Sequence, residues 1–274
     1  MTRRVCLLGK PLKRRHSVVM HNAAFAAAGI DARYELMELE AQQLEGFVDE
    51  ARGPGFLGLG VTAPYKKRVA ELVDEVEPEA VRIGAVNNVV RRDDDRLVGF
   101  NTDAPGFRAG AELALGHPLA GASVVVVGAG GVAQAIVRAC REAGVDRLTV
   151  ANRSLPASAG GVDAVALDSP ELAYALRSAD LAVNATTVGM VDSGAAFPVE
   201  DLPQQATVFD CVYVPAQTEL LRAARARGLR AANGSEMLIA QAAIAFERWN
   251  GVGGMAGVMR EAVAPLLADP GAQA

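Results

Sequence analysis

"SVVVVGAGGVAQAIVRACREAG", Ser123 to Gly144, is the stretch that decides the fold. It opens on a continuous β-branched run, the pattern of a strand buried on both faces. A glycine turn follows, and then a helical stretch. Strand, glycine turn and helix in that order are what a dinucleotide fold needs. Gly128 and Gly130 let the backbone approach a pyrophosphate and point amide N–H groups at it, while small Ala133 lets helix and strand pack closely. Ala129, Gly131 and Val132 complete the candidate cofactor loop. A glycine triplet alone says little; the strand before it and the helix after it give it meaning.

The next strand, "RLTVA", runs into Asn152, Arg153 and Ser154. An NAD-preferring site usually offers an acid here, about 20 residues after the glycines, to hold the ribose hydroxyls. A guanidinium beside two neutral donors suits a 2′-phosphate instead, so NADP is the expected cofactor and NAD stays possible.

Upstream, "RRVCLLG", "ARYELMEL" and "FLGLGV" read as strands, and "VVMHNAAFAAAG", ended by Gly29, and "AQQLEGFVDEARG" read as helices. This alternation predicts a parallel sheet covered by helices. "VNNVVRRDDDRLVGFN" breaks the pattern and reads as a hairpin turning at Asp93 to Asp95. Thr102 or Asp103 then caps a helix with Pro105 in its first turn, running to about Leu115, and "GHPLAGA" follows as a linker. The expected fold class is α/β with two domains. An N-terminal α/β substrate domain takes residues 1–103 plus 234–274, and a Rossmann-like dinucleotide-binding domain takes 104–233. The last two helices, "SEMLIAQAAIAFERW" and "GVMREAVAPLLA", could pack on either.

With 274 residues, 51% apolar and 22% charged, the chain is an ordinary globular one, disorder being expected only in the final "DPGAQA". Lys and Arg total 27 against 32 Asp and Glu, and the net charge of −5 gives no case for nucleic acid or an anionic membrane as partner. Three distant cysteines, Cys6, Cys140 and Cys211, fit neither a disulfide framework nor a metal site, which points to a reducing cytoplasm and no metal. No charged start joins a long apolar core, and no apolar run approaches the ~18 residues of a spanning helix, so neither export nor membrane insertion is expected. Against the acidic background, "PLKRRHSVVMHN" sets Lys13, Arg14, Arg15 and His16 side by side. Such a cluster is either a solvated loop or an anion site.

Taken together, several segments resemble the shikimate dehydrogenase family. They are the stretch around Gly9, Pro11, Ser17, His21 and Asn22, then "VTAPYK", "IGAVNN", "NTD" and "GAGG". "NRS", "NATTVGM", "DCVYVPAQTELL" and "MLIAQAAIAFERW" follow in the family's order over nearly the whole chain. The resemblance implies a reversible NADPH-dependent reduction of 3-dehydroshikimate to shikimate, in aromatic amino acid and chorismate biosynthesis, at a cleft between the domains. It implies Lys66 and Asp103 as the pair at the reacting centre. Charge grows on the carbonyl oxygen as hydride arrives, and an ammonium can stabilise it and donate the proton while a carboxylate tunes the lysine. It further implies Asn87, Thr102 and Gln241 at ring hydroxyls, Ser17, Thr62 and Tyr213 at the substrate, and Asn184, Thr186 and Met237 at the cofactor. His21 reads as structural.

This chain departs from the family's pattern at several places. Arg14 stands for a histidine, Arg15 for the first of two serines that grip the substrate carboxylate, and Val18 for a proline. Arg15 is therefore expected to meet an anionic group on the substrate. Gly60 replaces an asparagine, which is expected to remove a contact and open space. Ala104 replaces a glycine, and Ala157 a second basic residue after "NRS". Glu236 also stands for a glycine, and if that position needs glycine's backbone freedom or closely approaches the nicotinamide, a charged side chain there changes cofactor seating. Quinate, an aminated shikimate analogue or another cyclic hydroxy acid is therefore the alternative substrate, and a non-catalytic dinucleotide-binding regulator the alternative class. The chain reads equally well as a monomer or a homodimer.

Overall fold

The structure, a computed structural model, describes residues 1–154, 162–190 and 192–268. Ala157 and residues 269–274 lie outside them. The chain divides into two units, Met1–Thr102 with Ile239–Ala274, and Asp103–Leu238.

The first unit runs β1 (Arg3–Gly9), α1 (His16–Ala27), β2 (Ala32–Glu38), α2 (Leu44–Glu50), β3 (Phe56–Val61) and α3 (Lys66–Leu72). After these come β4 (Glu75–Val76), α4 (Pro78–Ile83), β5 (Asn88–Arg91) and β6 (Leu97–Phe100). Strand order is β2-β1-β3-β5-β6-β4. β1 pairs parallel with β2 and β3, as the alternation predicted, but β5 is antiparallel to both β3 and β6. The sheet is therefore mixed, because a hairpin needs only a short turn and leaves no chain for a crossover helix. That turn closes by the Arg92 N–H donating to the Arg96 carbonyl at 2.8 Å, with Asp95 in the left-handed region at φ 66°. Cys6, Leu8, Leu59, Val61, Val69, Val86, Val89 and Leu97 fill one side of the sheet.

An aromatic cluster fills the other. Phe25 of α1 lies 4.9 Å from Phe246, and His21 stacks on Tyr34 at 4.4 Å and meets Trp249 at 5.0 Å. His21 is only 3% exposed, and its Nδ1 has no hydrogen-bond partner. Burial holds its pKa down from 6.5 to about 3. The folded value lies below the unfolded one, so this stability is fully present above the unfolded pKa and is lost as pH falls toward the folded one. Between about pH 7 and pH 5 the loss should reach about 2 kcal/mol. Urea unfolding of the wild type and His21→Phe at both pH values checks it: the phenylalanine keeps the ring packing, and its stability should fall by that much less.

The second unit runs α5 (Asp103–Leu115), β7 (Ser123–Val127), α6 (Gly131–Ala143), β8 (Arg147–Asn152), β9 (Asp163–Ala166) and α7 (Pro170–Leu176). It continues with β10 (Leu181–Asn184), β11 (Thr207–Asp210), α8 (Glu219–Ala226) and β12 (Arg230–Asn233). All six strands are parallel, in the order β12-β11-β10-β7-β8-β9. The chain leaves β7 toward β8 on one side and returns to β10 on the other, so the crevice at the carboxyl ends of β7 and β10 is the topological switch point, where such sheets bind ligands. Val124 to Val127 are fully buried, as a central strand covered on both faces requires.

α9 (Ser235–Asn250) begins in the second unit and belongs to the first from Ile239 onward, where α10 (Ala256–Ala268) packs on α1. Among the described residues no helix is long and apolar enough to cross a membrane.

Candidate active site

In the first unit the polar groups gather at the carboxyl ends of β1 and β3. The Thr62 N–H donates to the Leu8 carbonyl at 2.8 Å and the Val61 N–H to the Asn87 carbonyl at 2.8 Å, so Thr62 and Asn87 border the same sheet ends. Lys66 opens α3, and its carbonyl accepts from the Val86 N–H at 3.0 Å, one residue before Asn87.

Asn87 and Thr102 are buried together. Thr102 Oγ1 accepts from Asn87 Nδ2 at 3.2 Å and from Asn88 Nδ2 at 3.1 Å, and Asn87 Oδ1 accepts from Asn88 Nδ2 at 2.9 Å and from the Thr102 N–H at 2.9 Å. Thr102 thus spends both acceptor positions inside the cluster and keeps its O–H to donate, while Asn87 keeps a second amide hydrogen. Two unspent donors in a buried, cross-braced cluster suit the oxygens of a hydroxylated ring. Asn88 is a member that sequence reasoning missed, although its place beside Asn87 in "VNN" was a signal.

Ser17 is the second residue of α1, and Arg15 its N-cap. The Arg15 side chain is exposed, while Lys10 is ion-paired with Glu40 and the Leu12 N–H donates to the Glu38 carboxylate. Gln241 is half-buried on α9.

In the second unit, Gly128 ends β7 at φ +123°, and a Cβ there would lie 2.8 Å from the Ala185 carbonyl oxygen. Glycine is obligatory where the chain leaving β7 passes the chain leaving β10. At Gly130 and Gly131 a Cβ would meet nothing within 4 Å, and α6 begins there without a side-chain cap. Open space above uncapped N–H groups, at the start of a 13-residue helix, is the form of a pyrophosphate cradle. Ala129 and Val132 are half-buried and Ala133 fully buried within the loop. The Gly128 N–H donates to the Ala151 carbonyl at 2.8 Å, which brings the cradle next to Asn152. Asn152 Nδ2 donates to the Ser154 carbonyl at 2.8 Å, and Arg153 and Ser154 are exposed. These residues fit a dinucleotide carrying a 2′-phosphate.

Asp210, quoted as part of a motif but not singled out by sequence reasoning, organises the far side. Its carboxylate accepts from Asn184 Nδ2 at 2.9 Å, Thr218 Oγ1 at 2.6 Å and the Val212 N–H at 3.0 Å. Burial pushes its carboxyl up against the opposing pull of these three donors. Asn184 Oδ1 in turn accepts from the Thr186 N–H at 3.0 Å and Thr186 Oγ1 at 2.7 Å, so one buried acid shapes the loop after β10. Asp103 is the buried first residue of α5, and its charge, with that of Asp210 and after burial itself, holds the Cys211 thiol up. Tyr213 is half-buried two residues further on, and Met237 is buried, with its N–H 3.0 Å from where a Cβ at Gly110 would lie.

Two expectations need correction. Glu236 lies in the first turn of α9 with no positive φ, so the backbone there makes no demand for glycine, and a carboxylate at a helix N-terminus is favoured. The missing side chain at Gly60 opens no space either: a Cβ there would come 2.6 Å from the Tyr34 hydroxyl. Among the described residues no group of His, Cys, Asp and Glu side chains is arranged to hold a metal ion.

A doubly wound parallel sheet with a glycine cradle at its switch point defines a dinucleotide-dependent oxidoreductase. The shikimate dehydrogenase substrate binding domain matches residues 7–89, the shikimate/quinate 5-dehydrogenase domain residues 111–191, and the shikimate 5′-dehydrogenase C-terminal domain residues 234–264. A relative from Symbiobacterium thermophilum named shikimate dehydrogenase (NADP+) is 42% identical over 95% of this chain and 93% of its own length. The shikimate 5-dehydrogenase of Thermus thermophilus, solved in complex with NADP(H) and shikimate, is 38% identical with a TM-score of 0.86, covering 96% of this chain and 99% of that one. The quinate dehydrogenase of Corynebacterium glutamicum, solved with NAD, is 36% identical with a TM-score of 0.87, covering 97% and 99%. The chain belongs to the shikimate dehydrogenase family.

Proposed function

We infer that the protein catalyses the reversible, NADPH-dependent reduction of 3-dehydroshikimate to shikimate. The observation that carries this reading is the buried Asn87–Thr102 cluster, whose two remaining donors match a hydroxylated ring, in a chain that also holds a pyrophosphate cradle. The first unit takes the ring acid and the second takes the cofactor, which supplies the hydride. Lys66 stabilises the developing alkoxide and delivers the proton, and Asp103 supplies the carboxylate of the family's pair. Thr62, Tyr213 and Gln241 join Asn87 and Thr102 around the ring, and Ser17 meets its carboxylate. Asn152, Arg153 and Ser154 hold the adenosine 2′-phosphate, while Asn184, Thr186 and Met237 line the nicotinamide side. The unpaired thiols fit a reducing cytoplasm, and no charge pattern calls for nucleic acid or a membrane. NADP+ reduction with shikimate, followed by absorbance, tests the reading; turnover of no ring acid by a protein that binds NADP+ would make it a regulator.

Arg15 favours a second reading for the substrate, since a guanidinium in place of a hydroxyl enlarges the charge and bulk of the carboxylate subsite. Assigning it to the shikimate carboxylate gives a definite expectation. Arg15→Ser should raise KM for shikimate about tenfold with little change in kcat, the loss of one charge-assisted hydrogen bond. Faster shikimate turnover in the serine variant, with quinate or an aminated analogue preferred by the wild type, would assign the loop to another ring acid.

A further inference from the structure

Tyr34 has no part in the catalytic and binding roles assigned so far, yet side chains from α1 and α9 hold both its backbone and its ring. It is the third residue of β2 and is 3% exposed. The Asn22 side chain brackets its backbone, donating from Nδ2 to the Tyr34 carbonyl at 3.0 Å and accepting the Tyr34 N–H on Oδ1 at 2.8 Å. His21 stacks on its ring at 4.4 Å, with Trp249 at 5.9 Å. The ring is therefore held from the backbone and from its face, and the hydroxyl has one direction to point.

That direction is β3, at Gly60. A Cβ at Gly60 would lie 2.6 Å from Tyr34 Oη and 3.2 Å from Leu7 Cδ1, but 3.5 Å from Tyr34 Cζ. The hydroxyl is the nearest atom in the space that a side chain at residue 60 would need, with Leu7 Cδ1 the next. Its hydrogen-bonding partner is the Ser17 side chain, and burial keeps the phenol protonated by pushing its pKa up. A phenol is a stronger acid than an aliphatic alcohol and so the better donor of the two. Each of the two hydroxyls can donate or accept, and a carboxylate set against Ser17 would take the serine O–H and leave the phenol to donate to the serine oxygen.

We propose that Tyr34 is a positioning residue for the substrate carboxylate: its hydroxyl, seated over Gly60, fixes Ser17 so that the serine O–H faces a carboxylate oxygen of the ring acid. The proposal rests on the assignment of Ser17 to that carboxylate. It gives Gly60 a function that its departure from the family pattern left open, because any side chain there displaces the hydroxyl. It also accounts for His21 and Asn22, which hold the tyrosine rather than the ligand.

The test is a set of steady-state and melting measurements on Tyr34→Phe, Ser17→Ala, Gly60→Ala and the pairs Tyr34→Phe/Ser17→Ala and Tyr34→Phe/Gly60→Ala. Tyr34→Phe keeps the ring and its stacking, and should raise KM for shikimate about tenfold while kcat and KM for NADP+ stay near wild type. In the Ser17→Ala background it should add nothing, since the serine it positions is gone. Gly60→Ala should raise KM likewise and lower the melting temperature, and adding Tyr34→Phe should recover part of the melting temperature, the Leu7 contact remaining, without restoring KM. A wild-type KM in Tyr34→Phe, or an effect that multiplies with that of Ser17→Ala, overturns the proposal while the assignment of Ser17 stands. An unchanged KM in Ser17→Ala itself removes the carboxylate from Ser17 and overturns both.

Discussion

Lys66→Met lowers kcat for shikimate oxidation by about three orders of magnitude and leaves NADP+ affinity unchanged. Methionine matches the length of the lysine stem, so packing at the start of α3 survives and only the ammonium is lost. The backbone anchor, the Lys66 carbonyl accepting from the Val86 N–H at 3.0 Å, does not depend on the side chain. The asparagine after Val86 therefore keeps its place, and ring binding through Asn87 and Thr102 persists. KM for shikimate should change far less than kcat, because the ammonium acts on charge that exists only in the transition state. Lys66→Arg should recover little, since a guanidinium does not give up its proton at working pH. Steady-state rates with shikimate, and NADP+ binding measured by calorimetry, check both halves. A kcat within about tenfold of wild type would remove Lys66 from proton transfer, as that is too small a loss for an acid at the reacting oxygen.

The features that were legible in the amino-acid sequence are those set by neighbours along the chain. The four valines before Gly128, the glycine turn and the helix after it are local, and the structure has them as β7 and α6. The hairpin at Asp93 to Asp95 was legible for the same reason, a polar turn between two apolar runs. α3 and α4, of 7 and 6 residues, were not read as helices, being short and each sharing an end residue with a stretch singled out for its polar motif, "VTAPYK" and "IGAVNN". The consequences of Gly60 were illegible for a different reason. What a glycine makes room for depends on the residue opposite, and Tyr34 is placed there by the pairing of β1 with both β2 and β3. Asp210 is a similar case: its three donors come from Asn184, Val212 and Thr218, and only the parallel pairing of β10 with β11 brings the first of them within reach. Glu236 misled because a departure from a family glycine invites a conformational reading, whereas the residue sits in ordinary helix.

Gly130→Val should weaken NADP+ binding by about 3 kcal/mol, roughly 100-fold, with no loss of thermal stability. The two halves of this expectation come from one observation. Gly130 has an ordinary φ of −72°, and a Cβ built on it meets nothing within 4 Å beyond its own chain neighbours, so the folded chain has room for a side chain. Gly130 is the N-cap of α6, beside its uncapped N–H groups, and a valine there is expected to compete with the phosphates for that end of the helix. Gly128→Val is the control with the opposite cause. Its φ of +123° excludes a β-branched residue, and its Cβ would press on the Ala185 carbonyl oxygen at 2.8 Å, so it should lower the melting temperature before any ligand is added. Thermal melts and calorimetric titration of both variants with NADP+ separate a cradle that binds the pyrophosphate from a glycine turn that only lets the chain leave β7 past the residues after β10. If Gly130→Val binds NADP+ as tightly as wild type, the pyrophosphate does not lie over α6. If it melts early as well, the space above the helix belongs to the fold rather than to the cofactor.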